Sequence, residues 1–430
     1  MARLSERAIG DAYRNSIAWE TLESLVDVEN RMAGHEGEQE GAEILAERFE
    51  EVGLREVGIE EFEIPGWWRG DASLSLPDRE RTYGLSHQVI ALPGTPPGEE
   101  RTELVDVGHG TPAEFEEANI DGKIAMASSK TPEEYDGWIH RKEKYDAAVE
   151  GGAVGFVFRN HVEGCLPPTG GIYGDTAPGP IPAVGVSREL GARLVRHCET
   201  EAVEATLTVD CEVGDATSQN VSGVVGPDTD ERILVTAHHD AHDIAEGAED
   251  NGAGSVLVCE VGRLLGHVED DLEVAVECVT FGAEEMGLYG STHMAETRNL
   301  DDIKAIVNLD AIGGSRTLGV GTHGFDELTA VFEHVGERLD TPLEIDEDIK
   351  PHSDHWPFVR QGVPGIMAYS VSEDSGRGWG HTHADTLDKL DRRDLRELAI
   401  IAADGVAELA SSDRNPQRVD SETIEQRKDE

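Results

Sequence analysis

Lysine is scarce in this 430-residue chain: eight residues against twenty-eight arginines. Positive charge as a whole is outnumbered, 36 Lys and Arg against 88 Asp and Glu, for a formal net charge of -52. A surface of that sign repels nucleic acid and anionic membranes, so neither is expected as a partner. Long apolar runs are missing too. None approaches the roughly 18 residues of a membrane span, and the opening MARLSERAIGDAYRNS has no apolar core of a secretory leader. A soluble cytoplasmic protein is the expectation. Paired cysteines are absent: Cys165, Cys198, Cys211, Cys259 and Cys278 show no metal spacing, and Cys259 and Cys278 sit in apolar runs as small hydrophobes.

What is present is acid, spread along the whole chain and interrupted by recurring apolar segments. That pattern describes folded domains under a solvated acidic shell rather than a disordered chain. Such a shell stays soluble where salt screens self-repulsion, which points to a halophilic source.

The order of elements is α/β. Residues 4–28 and 38–53 read as helices, and Ile59 to Leu76 as strands. The Pro/Gly-rich ALPGTPPGEE at 91–100 marks a change of unit. Between 84 and 204 a strand GKIAMAS, a helix RKEKYDAAVEGGA, a strand VGFVFRN, a strand IPAVGVS and a helix RELGARLVRHC form a small insertion, with CLPPTGGIYGDTAPGP as a long loop. After it, ILVTA, LEVAVECVTFG, KAIVNLD and GIMAYS read as strands, interleaved with the helices GAGSVLVCEVGRLLG and FDELTAVFEHVGERL. The helix DRRDLRELAIIAADGVAELAS follows, and the polar last sixteen residues are expected to fray. The expected fold is therefore α/β, a mostly parallel sheet with helices on both faces. Its segments are 1–83 and 205–430, with 84–204 as a small inserted α/β domain.

Potential metal ligands stand at strand ends or next to them: His238 in TAHHDAH, Asp250 in GAEDNGAG, Glu284 and Glu285 in FGAEEMGLYGS, Asp310 in NLDAIG and His381 in HTHADT. Imidazoles and carboxylates at the carboxyl ends of strands converge on one crevice, as a two-metal hydrolase requires. Asp240 can hold the His238 imidazole in one tautomer. His239 should face away and His242 belongs to the loop. Asp250 or Asn251 could instead cap the following helix, whose small first residues GAGS let the backbone approach closely. In the glutamate pair one side chain can ligate while its neighbour addresses a water. His383 competes with His381, and Asp385 could cap the terminal helix or orient a histidine. SDHWPF at 353–358 holds Ser, Asp and His in a row, but no strand–nucleophile–helix elbow supports serine chemistry. His355 there could support the site or touch substrate.

These ordered motifs resemble the co-catalytic di-zinc aminopeptidase family, metallopeptidase family twenty-eight, which includes bacterial leucyl aminopeptidases and glutamate carboxypeptidase II. The resemblance covers 232–390, and RMAGHEGEQEGAEILAERFEEVGL resembles the family's opening helices. Residues 84–204 resemble its inserted protease-associated domain through GKIAM, YDAAVEGGAVGFVF and IPAVGVS. The resemblance implies a zinc-dependent exopeptidase, expected to be an aminopeptidase; the acidic surface adds a halophilic archaeon as the expected source. His238 and Asp310 would bind one Zn2+, Glu285 and His381 the other, and Asp250 both, with Co2+ or Mn2+ as alternatives. Glu284 would be the general acid/base acting on a metal-bridging water, and Asp240 would orient His238. A small peptide is the expected substrate, and homodimerisation is left open. Gly380 departs from relatives that carry an oxyanion-holding tyrosine there. A carboxypeptidase or dipeptidase would share the metal centre and need a cationic anchor, for which Arg316, Arg360 and Arg377 are candidates. Glutaminyl cyclisation, on a related fold with an SDHWPF-like segment, uses one zinc and fits the two-metal set poorly.

Overall fold

The structure, a computed structural model, describes residues 2–135, 137–172, 177–371, 378–411 and 413–429. Residues 173–176 of the glycine-rich loop, and the candidate anchor Arg377, lie outside the described residues. The chain forms two compact units, one of Met1–Ile64, Thr217–Gly380 and Asp385–Glu430, the other of Pro65–Ala216 with His381–Ala384.

In the first unit the apolar runs become the strands Arg232–His238, Ala275–Phe281, Ile303–Leu309 and Gly365–Ser370. Three parallel pairings join them in the order Gly365–Ser370, Ile303–Leu309, Arg232–His238, Ala275–Phe281. Nearly every residue of the three inner strands is buried. Burial on both faces explains why they read as continuous apolar runs rather than alternating ones. Leu318–Gly321 and Val221–Val225 pair antiparallel on either side, so the sheet is mixed around a parallel centre. Phe281 lies opposite His238, and Asn308 opposite Thr236. That register brings the carboxyl ends of three strands to one level, one residue short of Asp310 and a short turn before Glu284.

Helices cover this sheet. Ala253–Leu265 is buried on almost all sides, and Arg392–Leu409 packs against it and against Asp326–Leu339. The expected helix over 4–28 is two, Glu6–Asn15 and Ala18–Val26. Ser16 takes an extended ψ of 132°, and the freed Ile17 N–H donates to the buried Glu260 carboxylate at 3.2 Å. The polar C-terminus is not frayed either: Ser421–Asp429 is helical and buries Ile424, one apolar contact that the surrounding charges conceal in the sequence.

The second unit has its own parallel strands, Gly98–Asp106, Ile124–Ser128, Gly155–Arg159 and Ala183–Val186, in that order. Val203–Val209 and Val89–Ala91 close the two edges antiparallel. Tyr145, Phe156 and Phe158 centre its apolar core. Lys144 is buried beside them, and its ammonium donates to the Ser128 and Lys130 carbonyls at 2.8 and 3.3 Å. No helix among the described residues is long and apolar enough to cross a membrane.

Candidate metal centre

His238 ends its strand with the imidazole buried. Its Nε2 lies 3.3 Å from Asp250 Oδ1 and 3.4 Å from Asp310 Oδ1, and makes no hydrogen bond. Potential ligand atoms of His238, Asp250 and Asp310 all fall within 4.8 Å of one another, and so do those of His242, Glu285 and His381. Five expected ligands thus fall into two groups. His242, which looked like a loop residue of no consequence, joins the second group with its Nε2 3.0 Å from Glu285 Oε2. His239 and His383 join neither.

The backbone that carries these groups is held from several sides. Arg31 is buried and gives its N–H groups to the carbonyls of Leu25, His239, Glu246 and Gly247 at 2.8–3.1 Å. It therefore ties down the loop that separates His238 from Asp250. Asp385 accepts from the Glu249 and Asp250 N–H groups at 2.8 and 3.1 Å. Its carboxylate positions Asp250, rather than capping the terminal helix or orienting a histidine. Asn251 takes the cap, accepting from Gly254 N at 3.0 Å and donating to the Leu309 carbonyl at 2.8 Å, which leaves Asp250 to face His238. A Cβ on Gly254 would sit 2.2 Å from Asn251 Oδ1 and 2.5 Å from the Leu309 carbonyl, so the small residue is required.

Asp240 has two tasks. Its backbone carbonyl lies 3.0 Å from His238 Nδ1, and its carboxylate accepts from Glu284 N and Glu285 N at 3.0 and 3.1 Å. With Nδ1–H donating to that carbonyl, Nε2 keeps a free lone pair toward Asp250 and Asp310. Glu38, fully buried, accepts from Ser218 Oγ at 2.6 Å, Gly34 N at 2.7 Å and Ala283 N at 3.2 Å. Ala283, Ala311 and His381 have φ between 51° and 57°. Left-handed backbone costs a non-glycine residue about 1–2 kcal/mol, and here it sits at or beside the ligands. His381 Nδ1 lies 3.2 Å from both the Thr169 carbonyl, which only accepts, and the Arg141 guanidinium, which only donates; giving its hydrogen to Thr169 is the arrangement that leaves Nε2 for ligation.

The electrostatics ask for a cation. Burial raises the Glu284 carboxyl well above its usual range, and Asp310, Glu285 and Asp354 add to the effect while His238 opposes it. Burial likewise pushes Asp354 up to about 7 and Glu249 to about 8. For His238 burial works against the imidazolium, yet Glu284, Asp240, Asp250 and Asp310 outweigh it and raise the pKa. The crevice thus stabilises positive charge at the point where an unbonded nitrogen faces two carboxylate oxygens. Nitrogen and carboxylate donors in this arrangement suit Zn2+ and related divalent ions.

SDHWPF contributes less than its residue types suggest. His355 is fully buried, stacked on His323 at 4.7 Å with its Nε2 2.8 Å from the Lys350 carbonyl, and exposes no edge to a substrate. Ser353 is hydrogen-bonded to Asn308 and Asp310, not to a histidine. Of the cationic candidates, Arg316 is already paired with Asp394 and Glu397 at 3.2 and 3.3 Å, and Arg360 is exposed. Arg31, Glu38 and His242 were not foreseen as part of the site. RMAGHEGE and HHDAH contain them, but nothing in those strings says that the segments meet.

Residues 220–406 match peptidase family M28, and residues 98–194 match the PA domain. The chain is 27% identical over 437 residues to aminopeptidase YwaD of Bacillus subtilis, across 96% of this chain and 89% of that protein. Mouse carboxypeptidase Q is 25% identical, across 92% of this chain and 86% of its own. Among solved structures, BSAP, a zinc aminopeptidase from Bacillus subtilis, superposes with a TM-score of 0.70 at 26% identity, across 92% of this chain and 95% of that one. An aminopeptidase from Aneurinibacillus sp. strain AM-1 gives 0.72 at 25% identity, across 96% and 98%.

Proposed function

We propose that this chain belongs to peptidase family M28, with an inserted PA domain, and is a zinc-dependent exopeptidase that releases N-terminal residues from peptides. The observation that carries this is the convergence of two buried ligand groups, His238–Asp250–Asp310 and Glu285–His381 with His242, around the glutamate pair. In our assignment His238 and Asp310 would hold one zinc and Glu285 and His381 the other, with Asp250 serving both; Co2+ or Mn2+ would suit the same donors. Bound there, two divalent cations supply Lewis-acid polarisation of the scissile carbonyl and acidify the attacking water.

The chain's own residues do the rest. Glu284, held by the Asp240 bond to its backbone N–H, accepts a proton from the water and returns it to the departing amine nitrogen. Burial raises its pKa, the direction a group that must both take and give a proton requires. Asp240 fixes the His238 tautomer and the Glu284–Glu285 turn together. The surrounding acids would attract a free α-amino group, which favours attack on the first peptide bond. We assign 84–204 to the inserted domain and 1–83 with 205–430 to the peptidase domain, a division supported by the PA match over 98–194.

Carboxypeptidase or dipeptidase activity is the second reading, favoured by the similarity to carboxypeptidase Q. It needs a cationic anchor for the substrate carboxylate, and the pairing of Arg316 with two acids weighs against one candidate. Peptides with free or acetylated N-termini, and with free or amidated C-termini, separate the two in the presence of zinc. Acetylation should abolish turnover and amidation should spare it; the reverse pattern would replace the aminopeptidase reading with the second one. A halophilic archaeon is our inferred source, on the net charge of -52. The cytoplasm is our inferred location, on five free thiols that suit a reducing compartment. A peptide is the partner, and a homodimer is compatible with this reading.

A further inference from the structure

Behind Asp310 runs a row of four polar side chains, all in the first unit. Thr236 and Asn308 face each other across neighbouring parallel strands, and Ser353 comes from the turn before the short helix Trp356–Val359. Thr236, Asn308 and Ser353 are fully buried and Asp310 nearly so. Thr236 Oγ1 donates to Asn308 Oδ1 at 2.7 Å, Asn308 Nδ2 donates to Ser353 Oγ at 2.7 Å, and Ser353 Oγ donates to Asp310 Oδ2.

The direction of this row follows from the donor inventory. An ionised carboxylate only accepts, so the one hydroxyl hydrogen of Ser353 must go to Asp310. Ser353 Oγ is then the acceptor for Asn308, whose amide nitrogen has to face it. The Asn308 carbonyl is left facing Thr236, whose own hydrogen satisfies it. Both hydroxyl hydrogens and one amide hydrogen of the row are committed, and Oδ2 of Asp310 is capped. The other oxygen, Oδ1, is the one 3.4 Å from His238 Nε2.

We propose that Thr236, Asn308 and Ser353 are positioning residues that present Asp310 to its metal through Oδ1 alone, as a one-oxygen ligand. This rests on the reading of Asp310 as a ligand and adds how that ligand is set. Without the Ser353 hydrogen the carboxylate can rotate or turn both oxygens toward the cation, either of which weakens a site shaped for one oxygen.

The test is a Co2+ titration of the metal-free full-length protein against a competing chelator, with the visible Co2+ absorption recorded for each equivalent. Wild-type protein should take up two equivalents. Ser353→Ala should weaken one of them about 10- to 100-fold, the range typical of lost outer-shell partners, and leave the other nearly unchanged. Ser353→Thr keeps the hydroxyl and should restore affinity and spectrum. Thr236→Val, which keeps the volume, frees the Asn308 amide to turn and should give a smaller loss at the same equivalent; it carries the test if Ser353→Ala does not fold. Two equivalents bound with wild-type affinity and spectrum in Ser353→Ala or, if that variant does not fold, in Thr236→Val would overturn the positioning role and leave the metal centre standing. Wild-type protein that binds no pair of metals would instead remove the centre itself, and this inference with it.

Discussion

The two units bury ionisable groups of opposite kinds. At the strand ends of the first, Asp240, Asp250, Glu285, Asp310 and Asp354 are buried together, with Arg31 already committed to four backbone carbonyls. Inside the second, Lys144 is buried, and two carbonyls satisfy it. Burial lowers its pKa to about 8, so hiding this one cation carries a bounded cost that deprotonation removes at higher pH. A cluster of carboxylates has no such local remedy short of protonation. It is a site built for an added cation, whereas the second unit's buried lysine is a structural group complete in itself.

That contrast is sharpened most by removing metal. Chelation should destabilise the first unit by about 4 kcal/mol for each metal removed, relative to protein at 1,000-fold metal excess over Kd, and should shift the second, which supplies His381 alone, far less. Calorimetry resolving the two units measures it, and equal shifts in both would erase the distinction drawn here. Next in size is the glutamate pair. Glu284→Gln should keep both metals and lose turnover on the order of 10²-fold or more, while Glu285→Gln should lose metal along with activity. Metal analysis beside turnover decides it, and the opposite pattern would exchange the two roles.

A smaller effect belongs to the second unit. A lysine whose folded pKa lies below its unfolded value destabilises the fold fully below pH 8, and this cost disappears as pH rises toward the model-peptide 10.5. Lys144→Met should therefore be more stable than wild type at pH 7, by on the order of 2 kcal/mol after loss of its hydrogen bonds, with the gap closing by pH 10.5. A gap independent of pH would mean that packing, not charge, sets the difference. Smallest is the salt effect: raising salt from roughly 0.1 M to 2 M shortens the screening length from about 10 Å to under about 3 Å. Melting should rise by several degrees, and a flat profile would argue against the halophile inference.

Much of this was legible in the chain. ILVTA, AVECVTF, KAIVNL and GIMAYS were recognisable as strands because burial on both faces leaves mostly apolar residues, and candidate ligands could be found where those runs stop. Less legible were elements whose reason is elsewhere in the chain. The break at Ser16 depends on Glu260, and the terminal helix on a single buried isoleucine at 424.

The sequence by itself determined the α/β order, the residues that end each strand and the excess of acid, because periodicity, strand ends and net charge are local or additive properties. Only the tertiary structure decided that Asp385 holds Asp250, that Arg31 pins the intervening loop, that His242 meets Glu285 and that Ser353 caps one oxygen of Asp310. Each of those is a contact between segments tens to hundreds of residues apart. Its geometry depends on strand register and on turns such as Ala283 and Ala311, whose left-handed backbone no residue type announces.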